Sequence, residues 1–582
     1  MLSLSLATVC AAQTPPLPAL PAQDAEPTLP AEPAQPAEPA PAAGPTPPAE
    51  PAPPAEPAPT AQPVPTDVTV GRFTVEDADP KFAAATDRIL SKLRDHPVAP
   101  ETIRAAAAEI QRIYVDHGRF LTLVSVPSQD VAAGGELRLR VIHRAIRSVD
   151  VTGIPKQYRA RVLAFVAPLV GRASLTRAQF ERAVLIAGTL PALNLKSTLQ
   201  EGATDDAVIL VLKGGYRAFT SLFSVDNAYP ASVGRTSATL VSAYNPGARF
   251  VDEVSLALST AADADGLSSR SPRRLLEAAA RLPVGIGGGE IDVRYTWSAI
   301  NPTSIPESDA DIGLLDTAST YKRAALRATY PFIKSVGTSL VGAAGFDATS
   351  LIQTANPYGS SLFKDQLRVL RLGLALERFF NPATQASLGV DLSEGLNGLG
   401  SRSPADATAD APLSQAGASN TFTKWEAHAM LHRALAAKLA AELQLRAQYV
   451  ATHPLLLTEK FTLGGPTDLS AYDYANFSGD RGWVGRAELQ HTIKWNHGST
   501  TNAAQTYLFA ARGEVVNLGA IAPEPRTEIG AAAGLGLRDS LGRTGASLGP
   551  VEVSGELARQ INPSSIPGPE HWRVNFAVYV HF

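Results

Sequence analysis

The residues able to do covalent or metal chemistry are few and poorly spaced. Ten histidines are scattered along 582 residues, and His117, His143 and His453 have no neighbours at metal-ligand spacing. The single cysteine, Cys10, lies in the apolar run MLSLSLATVCAA, so disulfides and thiol chemistry are excluded once that run is removed. Gly285 to Gly289, GIGGG, has no following Lys-Ser/Thr pair and reads as a strand connection, not a phosphate loop. Ser470 has no base partner identifiable from sequence. The expectation is of no catalytic set, no cofactor and no metal site.

A different constellation stands out in Phe461 to Leu489, FTLGGPTDLSAYDYANFSGDRGWVGRAEL. It holds Gly464-Gly465, Tyr472, Gly479-Asp480 and Gly482, of which the glycines suit tight turns. Something must hold this block, and the surrounding texture says what. From Tyr216 to Phe582 the chain breaks into short alternating segments separated by Gly, Pro, Asn, Asp and Ser. Ile291, Val293, Tyr295, Trp297 and Ala299 alternate with Asp292, Arg294, Thr296 and Ser298, so one face is apolar and the other polar. Sixteen such segments begin near residues 218, 236, 253, 274, 290, 321, 337, 367, 385, 423, 437, 483, 504, 528, 551 and 573. The last puts Val574, Phe576, Val578, Val580 and Phe582 on one uncharged face, the pattern of a closing membrane strand. The block at 461–489 falls between the eleventh and twelfth segments, in the sixth outer loop.

Ahead of the barrel-like region two β-α-α-β-β units follow one another. The first has a strand over 68–75, helices over 83–94 and from Pro100 to Gly118, and strands over 120–126 and 136–142. Ile103, Ala107, Ile110 and Tyr114 form one stripe of its second helix. The second unit has a strand over 146–151, helices over 155–167 and 175–188, and strands over 193–199 and 207–212. Thr176 and Gln179 are spaced as a capping box. Between Pro15 and Pro65 lie 20 of the 46 prolines with six acidic residues and no basic one, an extended spacer. Residues 1–12 read as the apolar part of an export signal without a basic start; Thr8-Val9 disfavour Cys10 as a lipid acceptor.

Composition agrees. The charge of −4 argues against nucleic acid, and without the spacer 51 basic residues face 49 acidic ones. Charged residues make up 18%, against a usual ~25%, and mean hydropathy is −0.01. No later stretch reaches the ~18 apolar residues of a spanning helix, whereas alternating strands produce near-zero hydropathy.

Specific residues then resemble a family, the outer-membrane transporters of two-partner secretion, or haemolysin secretion/activation proteins (ShlB/FhaC/HecB, TpsB type), within the BamA-like group. Ile113-Tyr114 with Gly118, Val126-Pro127-Ser128-Gln129 and Gly135-Glu136-Leu137 are similar to the first POTRA module of that family. Leu190-Pro191, Leu195, Ser197-Thr198-Leu199 and Gly202 are similar to the second, and Asp226-Asn227 and Asn245-Pro246 stand where the barrel begins. The resemblance implies two tandem α+β POTRA domains followed by a 16-stranded antiparallel transmembrane β-barrel. Expected boundaries are a signal-like segment 1–12, a Pro/Ala-rich linker 13–66, POTRA domains over 67–145 and 146–215, and a barrel over 216–582.

In the family the sixth loop carries a Val-Arg-Gly-Tyr tip whose arginine pairs with an aspartate in a Phe-x-Asp-x-Gly wall strand. Here Leu469-Ser470-Ala471 precedes Tyr472, and Phe509, Ala511 and Gly513 occupy the wall motif, so both charges are absent together. A lone buried charge is costly, which makes this a paired change. The expected substitute is a weaker, neutral hold through backbone, Tyr472 and Ser470. The proline-rich segment before the modules is unsuited to the plug helix that many relatives carry.

The resemblance implies a non-enzymatic translocator in the bacterial outer membrane with POTRA domains in the periplasm. Its partners would be an exoprotein with an N-terminal secretion domain, outer-membrane lipids, and the barrel-assembly machinery for its own insertion. The expected client surface lies in the second module at Val184, Leu190, Leu195 and Leu199, where an unfolded polypeptide adds as a strand. Alternatives are an assembly factor of the BamA type, disfavoured because only two modules fit, and a porin-like channel, which needs neither the modules nor the loop block.

Overall fold

The computed structural model describes residues 68–582 apart from 133, 173, 248–249, 263–264, 303–315, 498–499, 521–524, 542–549 and 563–571. The signal-like segment with Cys10 and the proline-rich tract lie outside the described residues. In the first unit, β1 (Val68–Glu76), α1 (Ala83–Leu90), β2 (Pro97–Val98), α2 (Pro100–Asp116), β3 (Thr122–Ser125) and β4 (Gly135–His143) make a sheet in the order β2-β1-β4-β3. Pro100 sits in the first turn of α2, where its missing N–H costs nothing, and Gly118 follows the helix at φ 84°. Ile103, Ala107, Ile110 and Tyr114 bury the stripe of α2 against Leu137, Leu139 and Val141 of β4. Two details differ from the sequence reading. The first helix ends at Leu90 and continues as a single 3-10 turn, and the strand after α2 begins only at Thr122, because Phe120 and Leu121 turn away to pack on the next unit.

That unit contains β5 (Ala145–Gly153), α3 (Lys156–Val166), α4 (Arg177–Gly188), β6 (Leu193–Glu201) and β7 (Ala207–Tyr216) in the order β5-β7-β6. Thr176 and Gln179 form both bonds of the capping box at the start of α4. Phe180 of α4 meets Phe120 with ring centroids 5.1 Å apart, which couples the two units. Tyr158 of α3 is fully buried and donates its hydroxyl to the Pro191 carbonyl at 3.1 Å; burial pushes that hydroxyl up to about 12.

The remainder closes into one barrel. Its strands are β8 (Phe219–Asp226), β9 (Ser237–Tyr244), β10 (Glu253–Ala261), β11 (Arg273–Val284), β12 (Gly289–Ile300), β13 (Thr317–Lys334), β14 (Thr338–Ala355), β15 (Ser360–Asn381), β16 (Thr384–Gly395), β17 (Thr423–Ala436) and β18 (Leu439–Val450). A loop hairpin of β19 (Phe461–Leu463) and β20 (Phe477–Gly479) intervenes before β21 (Arg481–His497), β22 (Thr500–Val516), β23 (Thr527–Leu541), β24 (Val551–Asn562) and β25 (Trp572–His581). The barrel has sixteen strands, each paired antiparallel to the next barrel strand in sequence order, with β18 pairing β21 past the loop hairpin and β25 pairing β8 to close it. No described helix is long and apolar enough to cross a membrane, which says nothing about strands.

Period-two alternation decides which face each side chain takes. On β25, Val574 is 64% and Phe576 41% exposed to the outside, while Arg573 and Asn575 between them are buried inside. Val578 and Val580 continue the outward set by the same alternation, whereas Phe582 follows the end of the strand and lines the cavity. Outward aromatics gather at both ends of the strands, Tyr330, Phe332 and Phe380 on the module side and Trp425, Tyr449, Trp483 and Trp572 at the far end. Such girdles mark the two interfaces of a lipid slab. The seam is short, running only from Ala577↔Asp226 to His581↔Leu222.

Neighbouring residues on β16 separate the two faces experimentally. Leu388 points outward and is 49% exposed, whereas Ser387 lines the interior. Leu388→Arg is expected to cost about 2–4 kcal/mol of barrel stability and Ser387→Arg much less. The loss of heat-modifiable gel mobility against temperature measures both.

Candidate functional site: the folded-in loop and the mouth beneath it

The loop after β18 does not extend away from the barrel. It folds back inside as the β19–β20 hairpin, with Phe461 opposite Gly479 and Leu463 opposite Phe477. Positive φ at Gly464 (113°) and Gly465 (93°) makes the bend, and a Cβ at Gly464 would stand 2.2 Å from the Asp473 carbonyl oxygen. Leu469, Ala471, Tyr472 and Phe477 bury against Tyr507, Phe509, Ala511, Ala532 and Ala558 of the wall. Small wall residues allow the approach: a Cβ on Gly530 would lie 2.7 Å from Leu469, and one on Gly513 2.8 Å from Leu463. Gly482 similarly leaves room for the Phe461 ring.

The polar contact at the tip differs from the expected neutral hold. Ser470 is fully buried, and its hydroxyl accepts from Arg486 Nη1 at 3.1 Å. Arg486 stands on β21 directly opposite Ala511 of β22, so a wall arginine lies beside the position of the absent aspartate. It also donates to Glu556 at 2.6 Å and Glu488 at 2.8 Å, and its guanidinium lies 3.9 Å from the Phe509 ring centre. Arg538 closes on Glu488 at 2.9 Å, and Tyr507 donates to Glu556 at 2.8 Å. Arg486 thus offers a buried, charge-assisted donor to an uncharged tip. The side chain of Asn575 donates to the Ser470 carbonyl at 2.8 Å, and that of Gln560 to the Ala471 carbonyl at 3.1 Å. Tyr472 contributes through its ring, 4.9 Å from Phe477, and its carbonyl accepts from Gly465 N–H.

Further ion pairs fix the flanks of the tip, Arg446 to Asp468 and Arg573 to Asp473. Burial raises the Asp468 carboxyl above its ordinary value, against the pull of Arg446. Arg573 donates also to the Asn227 and Ala228 carbonyls, so the loop is tied to the seam where β25 meets β8. The loop root is held on the opposite wall. Fully buried Glu459 receives Arg371 at 2.7 Å and Lys424 at 2.8 Å; burial disfavours its charge, but these two cations win and hold the carboxyl down to about 2. Asp480, also fully buried, accepts from Leu455 N–H at 2.7 Å and Leu518 N–H at 2.6 Å. Leu455 and Leu456 pack with Leu367, Phe422 and Val450 into an apolar cap over the far end of the barrel.

Sequence reasoning missed Arg486, Glu556 and Glu459. A signal for Arg486 existed: counting by two from Gly482 through Val484 puts it and Glu488 on the inner face.

At the module end the interior is open. A cavity of about 3470 Å³ runs from the groove between α4 and β6 into the lumen. Val184, Leu190, Leu195 and Leu199 all line it; Leu190 is packed in the module core, Leu195 is partly buried and Leu199 is 37% exposed. Strand β6 is paired on one side only. The module is fastened to the barrel by Arg182, which donates to the Phe332 and Gly287 carbonyls at 3.2 and 3.3 Å, and by the Arg161–Asp252 pair. Val336 N–H donates to Glu181 at 3.2 Å.

Arg486→Met is expected to release the tip, raising single-channel opening frequency and lowering barrel stability by about 3–5 kcal/mol, because Glu556 loses its charge partner. Arg486→Met with Glu556→Met removes both charges and is expected to recover most of that stability. Ser470→Arg sets a second guanidinium beside Arg486 and is expected to open the channel, with Ala511→Asp suppressing the effect. Planar-bilayer recording and thermal unfolding together check these outcomes.

Residues 362–537 match the haemolysin secretion/activation protein family ShlB/FhaC/HecB, and residues 68–143 match the POTRA domain, ShlB-type. The first match spans nearly all of β15 to β23 and includes the whole loop with most of its wall; the second coincides with the first α/β unit. Comparison with the curated proteins finds no match. Among solved structures, CdiB from Escherichia coli aligns with a TM-score of 0.65 at 20% identity, over 91% of this chain and 92% of that one. CdiB from Acinetobacter baumannii aligns at 0.58 and 15% identity, over 90% and 91%. The crystal structure of BamA from Haemophilus ducreyi lacking POTRA domains 1-3 aligns at 0.50 and 13%, over 89% of this chain and 100% of that one. At these identities the likeness is one of fold. The chain resembles the two-partner secretion transporters in its matched segments and in its architecture.

Proposed function

We propose that this chain is an outer-membrane translocator that receives an unfolded exoprotein on its second module and passes it through the barrel. The observation that carries the reading is the continuous cavity joining the α4–β6 groove to the lumen. A free sheet edge offers backbone hydrogen bonds to any extended polypeptide, and the adjoining half-buried Val184 and Leu195 with exposed Leu199 add sequence-tolerant apolar contact. Because Arg182 and Glu181 hold α4 against the β11–β12 and β13–β14 turns, a strand added to β6 is presented at the barrel mouth.

Passage requires the folded-in loop to leave its seat. The client would displace hairpin contacts that are individually modest, and folding beyond the membrane would bias the net direction without a nucleotide. The exported partner would be a polypeptide with an N-terminal secretion segment able to add as a strand.

Photo-crosslinking residues placed singly at Leu199 and Leu195 are expected to capture one secreted polypeptide in cells, and one at exposed Glu101 on α2 is expected not to. Deleting the chain should remove that same polypeptide from the medium. Depletion of many membrane barrels with the external proteins unchanged would instead identify an assembly factor and overturn the export reading.

A further inference from the structure

The outward face of the barrel is apolar by necessity, so basic side chains on it require a reason. Three lie on alternate strands at the end remote from the modules: Arg274 on β11, Lys322 on β13 and Arg368 on β15. Alternation puts each outward, since Arg273, Arg323 and the 367/369/371 set face the interior.

Their heights coincide. Hydrogen-bonded register carries Arg274 to Ala299, Thr320, Ile352 and Lys364 across β12 to β15. Strands tilted by roughly 40° and ~4.8 Å apart make such a row climb by about one residue's height per strand. A level line therefore drops about two residues by β13, from Thr320 to Lys322, and about four by β15, from Lys364 to Arg368. The three cations share that line. Arg274 stands about ten residues beyond Val284 at the module-side turn, which at ~3.3 Å per residue and that tilt is about 25 Å, the height of the apolar band. The patch thus sits at the upper edge of the lipid, on the outer leaflet.

Among the described residues no carboxylate pairs with any of the three. Arg274 lies 5.5 Å from the Trp297 ring centre, and its Nε is buried without a hydrogen-bond partner. Lys322 is exposed. Arg368 donates only to the carbonyls of Leu399, Thr349 and Leu367. By contrast the outward Arg512 on β22 has Glu514 two residues along the same face. Ser350 stands beside Lys322 in register and adds a hydroxyl outward.

We propose that Arg274, Lys322 and Arg368, with Trp297 and Ser350, bind the phosphorylated sugar headgroup of an outer-leaflet glycolipid. The cations supply charge-assisted hydrogen bonds to phosphate, Trp297 offers a ring face to a sugar, and the apolar strands below receive acyl chains. The site depends only on the barrel's orientation in the outer membrane, not on what passes through it.

The test uses the full chain in detergent with bisphosphorylated lipid A, the same lipid after dephosphorylation, and inorganic phosphate. Wild-type protein is expected to retain the bisphosphorylated lipid and not the dephosphorylated one, and 10 mM inorganic phosphate should leave it bound. Each cation near an anionic lipid surface contributes about fivefold, so Arg274→Gln/Lys322→Gln/Arg368→Gln is expected to weaken retention about a hundredfold. Lys322→Gln alone should give about fivefold and keeps the test available if the triple variant misfolds; Arg512→Gln should change nothing. Equal retention by wild type and variants, equal binding of the dephosphorylated lipid, or full displacement by phosphate each overturns the proposal.

Discussion

A guanidinium with two buried carboxylates, Arg486 between Glu556 and Glu488, sets the condition under which the rest of the interior is arranged. Taking such a charge out of water costs several kcal/mol unless geometry is good and every donor is used. Arg486 meets the condition by directing Nη1 at the loop, to the Ser470 hydroxyl at the tip and the Pro466 carbonyl. The loop is thereby drawn to the wall by a charge that belongs to the wall. Where relatives are expected to divide an ion pair between loop tip and strand, this chain keeps the Arg486 network on the strands and lets the tip contribute a hydroxyl, while Asp468 and Asp473 beside the tip pair with wall arginines.

That division separates the cost of keeping the loop in from the cost of letting it go. A departing Ser470 strands no charge at its own position, since Arg486 retains both acids, although Asp468 and Asp473 beside it must give up Arg446 and Arg573. The flanks behave otherwise. Glu459 and Asp480 at the root are fully buried and held through ionic or paired backbone bonds, so the root is the firmer end and the tip the freer one. The apolar cap formed by Leu455, Leu456 and Phe422 joins the root to the far rim. Opening is therefore graded along the loop and not a single event.

Alternation and end signals made most of this architecture readable from sequence. Every one of the sixteen barrel strands begins within about seven residues of its expected position, and Thr176 with Gln179 caps α4 as its spacing indicated. Strands such as β15, running from Ser360 to Asn381, prove longer than the membrane demands because they continue above the lipid into the cap. The site itself was half legible. The glycines, Asp480 and the absence of the tip arginine stood in the sequence, but the partner of Ser470 did not, because register between β21 and β22 is needed to see that Arg486 faces Ala511. Glu459 was equally hidden, since Arg371 and Lys424 reach it from strands far away in sequence. Arg182 belongs with these: its acceptors are carbonyls of turns, which carry no side-chain signature.

Asn227 brings the start and the finish of the barrel together. Its side chain donates to the Val574 carbonyl and accepts from Phe576 N–H, spanning 347 and 349 positions of chain. Among the described residues no other part of the wall is closed by so short a register, and its partners are the first and last strands of the barrel in sequence order. Until β25 exists, every earlier strand belongs to an open sheet with two bare edges, and no local pairing can substitute for the missing one. Closure is consequently all-or-nothing at this seam: the wall is complete only when β25 pairs β8, and a wall one strand short is an open sheet with two adhesive edges instead of a smaller pore.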